Sequence, residues 1–96
     1  MGSKFTVKVV LPDGTPAPGA QIIGINHDAW DPGHREWPAT AGLDGAHTWP
    51  NLDDGTLGDH YTFRVEHTDL QGRKWEAESS QRVKGEHTLT IVLHPT

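Results

Sequence analysis

The sequence contains no cysteine, and this absence removes several kinds of chemistry. Without thiols the chain can form no disulfide framework, no thiolate metal site and no cysteine nucleophile. Its stability must come from an ordinary hydrophobic core, which 96 residues are enough to build as one domain. A cytosolic chain and a self-sufficient extracellular module are equally compatible with this composition.

Basic residues are also few. The chain has 8 Lys and Arg against 13 Asp and Glu, for a net charge of −5, and the basic residues are scattered, with no more than two of them adjacent. Binding to nucleic-acid phosphates or to an anionic membrane surface needs a basic stripe. No apolar run approaches the ~20 residues of a membrane-spanning helix. The composition therefore argues against nucleic-acid binding and against membrane insertion.

The chain start lacks the charged and apolar regions of a secretory signal. We interpret residues 1–3 as a cloning remnant and residues 4–95 as a single domain. On this interpretation the domain was cut from a longer protein, and any targeting signal was lost with the rest.

The dominant pattern is period-2 alternation of apolar and polar residues, which indicates strands with one buried face. It is clearest in residues 4–11 and 61–66. Five further strands are predicted at 20–27, 37–41, 46–50, 74–79 and 88–93. Gly, Pro and Asp turns separate these segments, and no helical period of ten residues occurs. The sequence therefore predicts an all-β, seven-stranded antiparallel sandwich.

The sequence predicts a turn, a strand end and the core of this sandwich, and it leaves two alternatives open for one strand. The pair Asp44-Gly45 should form a tight hairpin between the third and fourth strands, and Pro50 should end the fourth. In residues 20–27 both parities are apolar, so either both faces are covered or Gly24 marks a bulge. The large core side chains are expected to be Phe5, Trp49, Tyr61, Phe63 and Trp75.

The order of turns and strands resembles one known family. The residues that carry the resemblance are Asp13-Gly14-Thr15-Pro16-Ala17-Pro18-Gly19-Ala20, Leu43-Asp44-Gly45, Pro50-Asn51-Leu52 with Gly55, and Tyr61-Thr62-Phe63-Arg64-Val65. Over positions 5 to 93 the chain is similar to the carboxypeptidase regulatory-like domain family. That resemblance implies a transthyretin-like (prealbumin-like, Ig-like) Greek-key sandwich. The chain departs from the family at His47, where an aromatic is usual, and at residues 57–60, which look like an insertion.

The resemblance also implies a role. Members of this family are typically non-catalytic accessory modules of secreted, periplasmic or cell-surface proteins. The expected function is therefore that of a spacer, a stabiliser or a protein-interaction domain. Its partners would be neighbouring domains of a parent protein or a separate protein, outside the cytoplasm.

A second hypothesis is a small-ligand module, for carbohydrate or a divalent metal, that uses the loop at 27–37. Imidazole and carboxylate together suit zinc or another first-row ion, and the candidate ligands are His27, Asp31 and His34. Their spacing is unspecific, and half-exposed histidines without a ligand are the alternative. Exposed Trp30 and Trp37 could stack on a sugar or anchor a partner, and packing within the loop is the alternative. No cofactor is predicted.

Other chemistry finds little support. Asp53, Asp54 and Asp59 could gather oxygens for calcium but lack the spaced pattern of a calcium loop, so turn roles are preferred. No serine lies in a Gly-x-Ser-x-Gly elbow, and no catalytic residue is predicted. The related transthyretin-like hydroxyisourate hydrolases carry a C-terminal Tyr-Arg-Gly-Ser that this chain lacks.

A self-formed isopeptide bond, as in pilin-type Cna B domains, is also excluded. Lys8 and Glu66 could supply the lysine and the acidic catalyst that those domains need. The last predicted strand holds no Asn or Asp to accept the bond.

Overall fold

The computed structural model describes residues 2–96, and this part of the chain is all-β, as predicted. Its strands are β1 (Gly2–Val10), β2 (Gln21–Asn26), β3 (Glu36–Thr40), β4 (Ala46–Asp53), β5 (Asp59–Thr68), β6 (Lys74–Val83), β7 (His87–Val92) and β8 (His94–Pro95). A single 3-10 turn spans Pro32–His34, and the described residues contain no α-helix. No described segment is a helix long and apolar enough to cross a membrane.

The strands form two sheets. One has the order β4-β1-β7 and the other the order β3-β2-β5-β6-β8. Phe5 of the first sheet stacks on Phe63 of the second, with ring centroids 5.1 Å apart and planes 6° from parallel. The inward side chains of both sheets belong to one hydrophobic cluster. The sheets therefore face each other across a common core, which is the arrangement of a β-sandwich.

The predicted core side chains lie where expected, with one exception. Phe5, Trp49, Tyr61 and Phe63 are buried. Trp75 is only half-buried and packs against the edge of the cluster. Its indole Nε1 donates to the Asp69 carboxylate at 3.2 Å, so its polar group stays near solvent.

One strand direction was predicted wrongly. β7 runs parallel to β1, in register from Phe5↔His87 to Val10↔Val92, so the sandwich is not wholly antiparallel. The chain reaches β7 from the end of β6 in the other sheet, at the same end of the molecule where β1 begins. Alternation reports which face a residue occupies and not the direction of its strand. The structure also adds a short eighth strand on β6.

The prediction of a hairpin at Asp44-Gly45 is wrong. A tight turn forms there, but the strands on its two sides do not pair with each other. The Gly45 N–H donates to the Gly42 carbonyl at 3.0 Å, and the Gly42 N–H donates to the Ala46 carbonyl at 2.9 Å. β3 pairs with β2, however, and β4 pairs with β1, so the turn carries the chain between sheets. Gly45 has φ +75°, and a Cβ there would lie 2.7 Å from the Val9 carbonyl oxygen. This crossing therefore requires glycine.

The prediction that β4 ends at Pro50 is wrong, because the strand continues to Asp53. It is an edge strand, so a residue without an N–H can face outward without breaking the ladder. The pairing with β1 shifts between Ser3 and Phe5, opposite this proline. Strand β6 is also longer than predicted, since it reaches Val83.

The ambiguity in β2 is resolved without a bulge. Its register with β3 and β5 is regular throughout. Ile22 and Gly24 face the core, while Ile23 and Ile25 are half-buried on the outer face. A Cβ on Gly24 would lie 3.0 Å from the Phe63 ring, so the glycine makes room for the central aromatic.

The first strand begins at Gly2, two residues before the predicted domain start. Ser3 is buried, and its hydroxyl donates to Asp54 Oδ2 at 2.6 Å and accepts from the Gly85 N–H at 2.8 Å. Residues 2 and 3 are therefore part of the folded domain, whereas Met1 lies outside the described residues. The cloning origin assigned to residues 1–3 stays a prediction.

His47 gives the fold a measurable pH dependence. Its ring packs edge-on against Trp49 at 4.7 Å, and burial lowers the pKa of the imidazole below 6.5. The unfolded chain binds this proton more readily, so the free energy of unfolding should fall as the pH drops below about 6.5. In urea titrations between pH 7.5 and 5, His47→Phe should lose less stability than the wild type. Parallel losses in the two proteins would contradict this assignment.

Candidate functional site

One end of the sandwich, which we call the acidic end, carries the loops at 27–35 and 54–58. Between these loops lies an open depression of about 600 Å³. We call it the acidic depression, and it is lined by Asn26, Asp28, Ala29, Trp30, Asp31, His34, Asp53, Gly55 and Asp59.

Four carboxylates reach this depression because several strands terminate there. Asp28 and Asp31 follow the end of β2, Asp53 ends β4, and Asp59 begins β5. The four side chains come from three separate parts of the chain, and only the packing of the two sheets brings these parts together. Gathered carboxylates produce a negative potential that attracts cationic groups.

Asn26 organises the floor of this end. It is 1% exposed, and its side-chain amide donates to Asp59 Oδ2 at 2.9 Å and to the Tyr61 hydroxyl at 3.2 Å. Its carbonyl oxygen accepts from the Asp28 N–H at 2.9 Å. The residue therefore fixes the start of the loop to β5. Sequence reasoning missed it, although a polar residue at an inward-facing strand position was the available signal.

Tyr61 joins β4 to the same network. Its hydroxyl donates to the Asp53 carbonyl at 2.6 Å while it accepts from Asn26. Burial raises the pKa of the phenol far above its usual value of 10.0, and the nearby carboxylates of Asp53 and Asp59 add to the effect. The network therefore holds the phenol in its neutral form.

This burial predicts the alkaline behaviour of the protein. Tyr61 is the one tyrosine in the chain, so phenolate absorbance reports it alone. The unfolded chain loses this proton near pH 10 and the folded chain does not, so stability should fall as the pH rises above about 10. Phenolate absorbance should appear together with unfolding in a combined absorbance and circular-dichroism titration. Ionisation with a normal midpoint in the folded protein would contradict the buried placement.

The loop that forms one wall is fastened on both sides. Asp31 Oδ1 accepts from the Gly33 N–H at 2.9 Å and caps the 3-10 turn. His34 Nδ1 lies 2.9 Å from Asp53 Oδ2, which ties the loop to β4. The Trp37 indole donates to the His34 carbonyl at 2.7 Å. Trp30 immediately precedes these fixed points and is fully exposed (101%).

The two tryptophans proposed for ligand binding have different environments. Trp30 lines the acidic depression with its indole in solvent. Trp37 lies on β3 opposite Gly24 and packs half-buried against the core. Trp30 is therefore available to a partner, whereas Trp37 supports the loop from below.

Two of the three predicted metal ligands lie close together, and the third does not join them. Asp31 and His34 line the acidic depression, with His34 Nε2 3.9 Å from Asp31 Oδ2. His27 is directed elsewhere, and its Nε2 lies 2.7 Å from the Thr62 hydroxyl on the outer face of the five-stranded sheet. Within residues 2–96 no three His, Asp or Glu side chains are grouped closely enough to hold a metal ion.

The three aspartates weighed for calcium also separate. Asp53 and Asp59 line the acidic depression, but Asp54 is buried and bonded to Ser3. One oxygen of Asp54, Oδ1, has no hydrogen-bond partner among the described residues.

Asp28 is held in its charged form. Its Oδ2 accepts from the His60 N–H at 2.7 Å and lies 3.2 Å from His60 Nδ1. The backbone N–H of His60 is the main cause that lowers the pKa of the Asp28 carboxyl. Arg82 lies on the far side of the ring, 3.1 Å from His60 Nε2. A lowered pKa suits a charged binding group better than a proton donor.

Comparison with known proteins does not place the chain in a family. No protein-family model matches it, and no curated protein matches it.

Proposed function

We propose that this chain is a non-catalytic accessory module of a larger secreted or cell-surface protein, and that its acidic end binds a partner through a basic segment. The partner is either a neighbouring domain or a separate protein. The observation that carries the proposal is the position of Trp30. This residue is fully exposed on a fastened loop, and it lines the same depression as four carboxylates.

The chemistry of the acidic depression suits a lysine or arginine side chain of the partner as the bound group. A cation over the face of an indole gains about 0.5–1 kcal/mol at an exposed site. The carboxylates of Asp28, Asp31 and Asp53 can pair with the same cation or its neighbours. Their summed field also steers a basic partner toward this end during diffusion.

The hydrogen bonds that order the loop at 27–35 also favour the binding of a partner. Asn26, Asp31 and His34 hold the loop before any partner arrives. Binding costs less when the contacting side chains and loops are already ordered. The loop therefore presents Trp30 without a large ordering penalty.

A spacer role is supported by the positions of the chain ends. Gly2 pairs with Asp53 at the acidic end, whereas the Thr96 N–H donates to the Lys74 carbonyl at the opposite end. The molecule measures 42 × 23 × 17 Å along its principal axes. Domains attached at Gly2 and at Thr96 would therefore lie at opposite ends of the sandwich. The transthyretin-like Greek-key topology is part of this proposal, supported by the two sheets and by the turn at 42–45.

The binding proposal can be tested with a short Lys/Arg-containing peptide in calorimetric titrations at low salt. Trp30→Ala should weaken binding about two- to five-fold, since a cation–π contact at an exposed site contributes ~0.5–1 kcal/mol. The double change Asp31→Asn and Asp53→Asn should weaken it further and reduce its salt dependence.

Matched controls lie at the opposite end of the molecule. Leu70→Ala removes a fully exposed apolar side chain there, and Asp13→Asn with Asp44→Asn removes two exposed carboxylates. These variants should bind the peptide almost as well as the wild type. Equal losses in both sets would show that the peptide responds to net charge alone, and the proposal would then be wrong.

A second candidate, saccharide binding, is favoured by the full exposure of the Trp30 indole. Sugar rings stack on such a surface, and Asp28 and Asp31 could accept bonds from their hydroxyls. A panel of neutral oligosaccharides distinguishes the two candidates. Sugar binding would persist at high salt, whereas binding of a basic segment would weaken.

A further inference from the structure

Within residues 2–96 the free sheet edges are those of β3, β4, β7 and the part of β6 that the short β8 leaves open, and all but the β7 edge carry a device that discourages pairing. β3 has Pro38 at its centre, and β4 has Pro50. β8 covers β6 only at Trp75 and Glu76, and the uncovered part of β6 carries the charged residues Glu78 and Arg82. Proline and charge are the usual means by which sheet edges avoid another chain.

The edge of β7 has no such device. Its sequence, His-Thr-Leu-Thr-Ile-Val, contains no proline, lysine or carboxylate, and its β-branched residues favour extended pairing. Within residues 2–96 no strand pairs on its outer side. Val92 is also 54% exposed, so its side chain is free to pack against a strand that pairs on this side.

One hydrogen bond shows which residues of β7 point their backbone N–H and C=O groups toward the open edge. The Leu93 N–H donates to the Val10 carbonyl at 2.9 Å, so Leu93 faces β1. Successive residues of a strand direct their backbone groups to opposite sides. The N–H and C=O groups of Thr88, Thr90 and Val92 therefore point away from β1, toward the open edge.

We propose that the β7 edge pairs with β7 of a second copy of this chain, antiparallel and about a two-fold axis. A two-fold interface uses the same surface on both copies, and an antiparallel pair of identical strands meets this condition. Centring the axis on Thr90 uses every outward residue of β7, because Thr90 then meets itself and Thr88 meets Val92. The pairing joins two three-stranded sheets into one and covers Val92 with a β-branched neighbour.

This dimer does not depend on the binding role of the acidic end. Because the paired strands are antiparallel, the two acidic ends point in opposite directions. A dimer could therefore contact two partners at once.

Sedimentation velocity over a range of concentrations up to about 1 mM tests the proposal on the whole chain. The wild type should shift from the mass of one chain, 10.5 kDa, to twice that mass as concentration rises. Thr90→Pro removes the central N–H of the pairing and should abolish the shift. Circular dichroism verifies that this variant is folded.

Charge variants at the same position test the register even if the proline variant does not fold. Thr90→Lys and Thr90→Glu place like charges face to face and should each weaken the dimer about two- to five-fold at low salt. An equimolar mixture of the two should restore dimer formation. Thr48→Lys, at an exposed threonine on the other edge of the same sheet, is the matched control and should leave the dimer intact.

Three results would overturn the inference. The wild type could remain at the mass of one chain at every concentration. Thr90→Lys could behave like Thr48→Lys. The mixture of Thr90→Lys and Thr90→Glu could fail to recover, which would exclude pairing centred on Thr90.

Discussion

Replacing Phe63 with alanine is expected to lower the free energy of unfolding by about 3–5 kcal/mol, the usual cost of removing a buried phenylalanine. Phe63 is fully buried, and its ring stacks on the rings of Phe5 and Tyr61, with centroids 5.1 Å and 5.5 Å away. Trp49 also contacts it, at 5.9 Å. The change therefore opens a cavity where the two sheets meet. Urea denaturation followed by circular dichroism measures the loss.

The matched control for this prediction is Leu70→Ala, which removes an apolar side chain that is fully exposed. Substitutions at such surface positions usually change stability by less than about 0.5 kcal/mol. A loss below about 1 kcal/mol for Phe63→Ala would mean that the sheets do not pack through this ring. The sandwich arrangement would then be wrong.

Asn26→Asp is expected to cost about 3–5 kcal/mol at pH 7, because it places an unpaired charge in a buried site. The amide that donated to Asp59 and to Tyr61 becomes a carboxylate, which cannot donate to either. Two carboxylates would then face each other across a hydrogen-bond distance, 2.9 Å in the native pair.

The pH dependence of this variant identifies the cause. Repulsion raises the pKa of the new carboxyl pair in the folded state, so stability should recover as the pH falls and one proton is shared. The destabilisation relative to the wild type should therefore be smaller at pH 4 than at pH 7. Asn51→Asp, at an exposed asparagine on β4, should have little effect at either pH. A loss that does not change with pH would contradict the Asn26–Asp59 contact.

Much of the fold could be read from the sequence because burial on a strand repeats every second residue. Tyr61 and Phe63 were correctly placed in the core for this reason. The path of the chain could not be read in the same way. Asp44-Gly45 makes the same local turn whether the next strand pairs with the last one or crosses to the other sheet. Partner choice depends on contacts between distant residues, such as Trp49 with Phe5.

The candidate site was predictable only in part. The loop with Trp30, Asp31 and His34 was recognised as the polar excursion between two strands, and these residues do line the acidic depression. Asp53 and Asp59 come from other strand ends and join them only in three dimensions. His27 left the predicted group because it is the first residue past β2 and points to the outer face, where it meets Thr62.

Alternating polarity and the positions of glycine and proline, by themselves, determined that this chain is all-β, where most strands lie and which aromatic rings are buried. Those features are local, since each depends on a few neighbouring residues and on water. Only the tertiary structure decided that β7 runs parallel to β1, that the turn at 42–45 joins two sheets, and that four carboxylates line the same depression as Trp30. These features arise from contacts between residues far apart in the chain, and the local pattern is the same for several such arrangements.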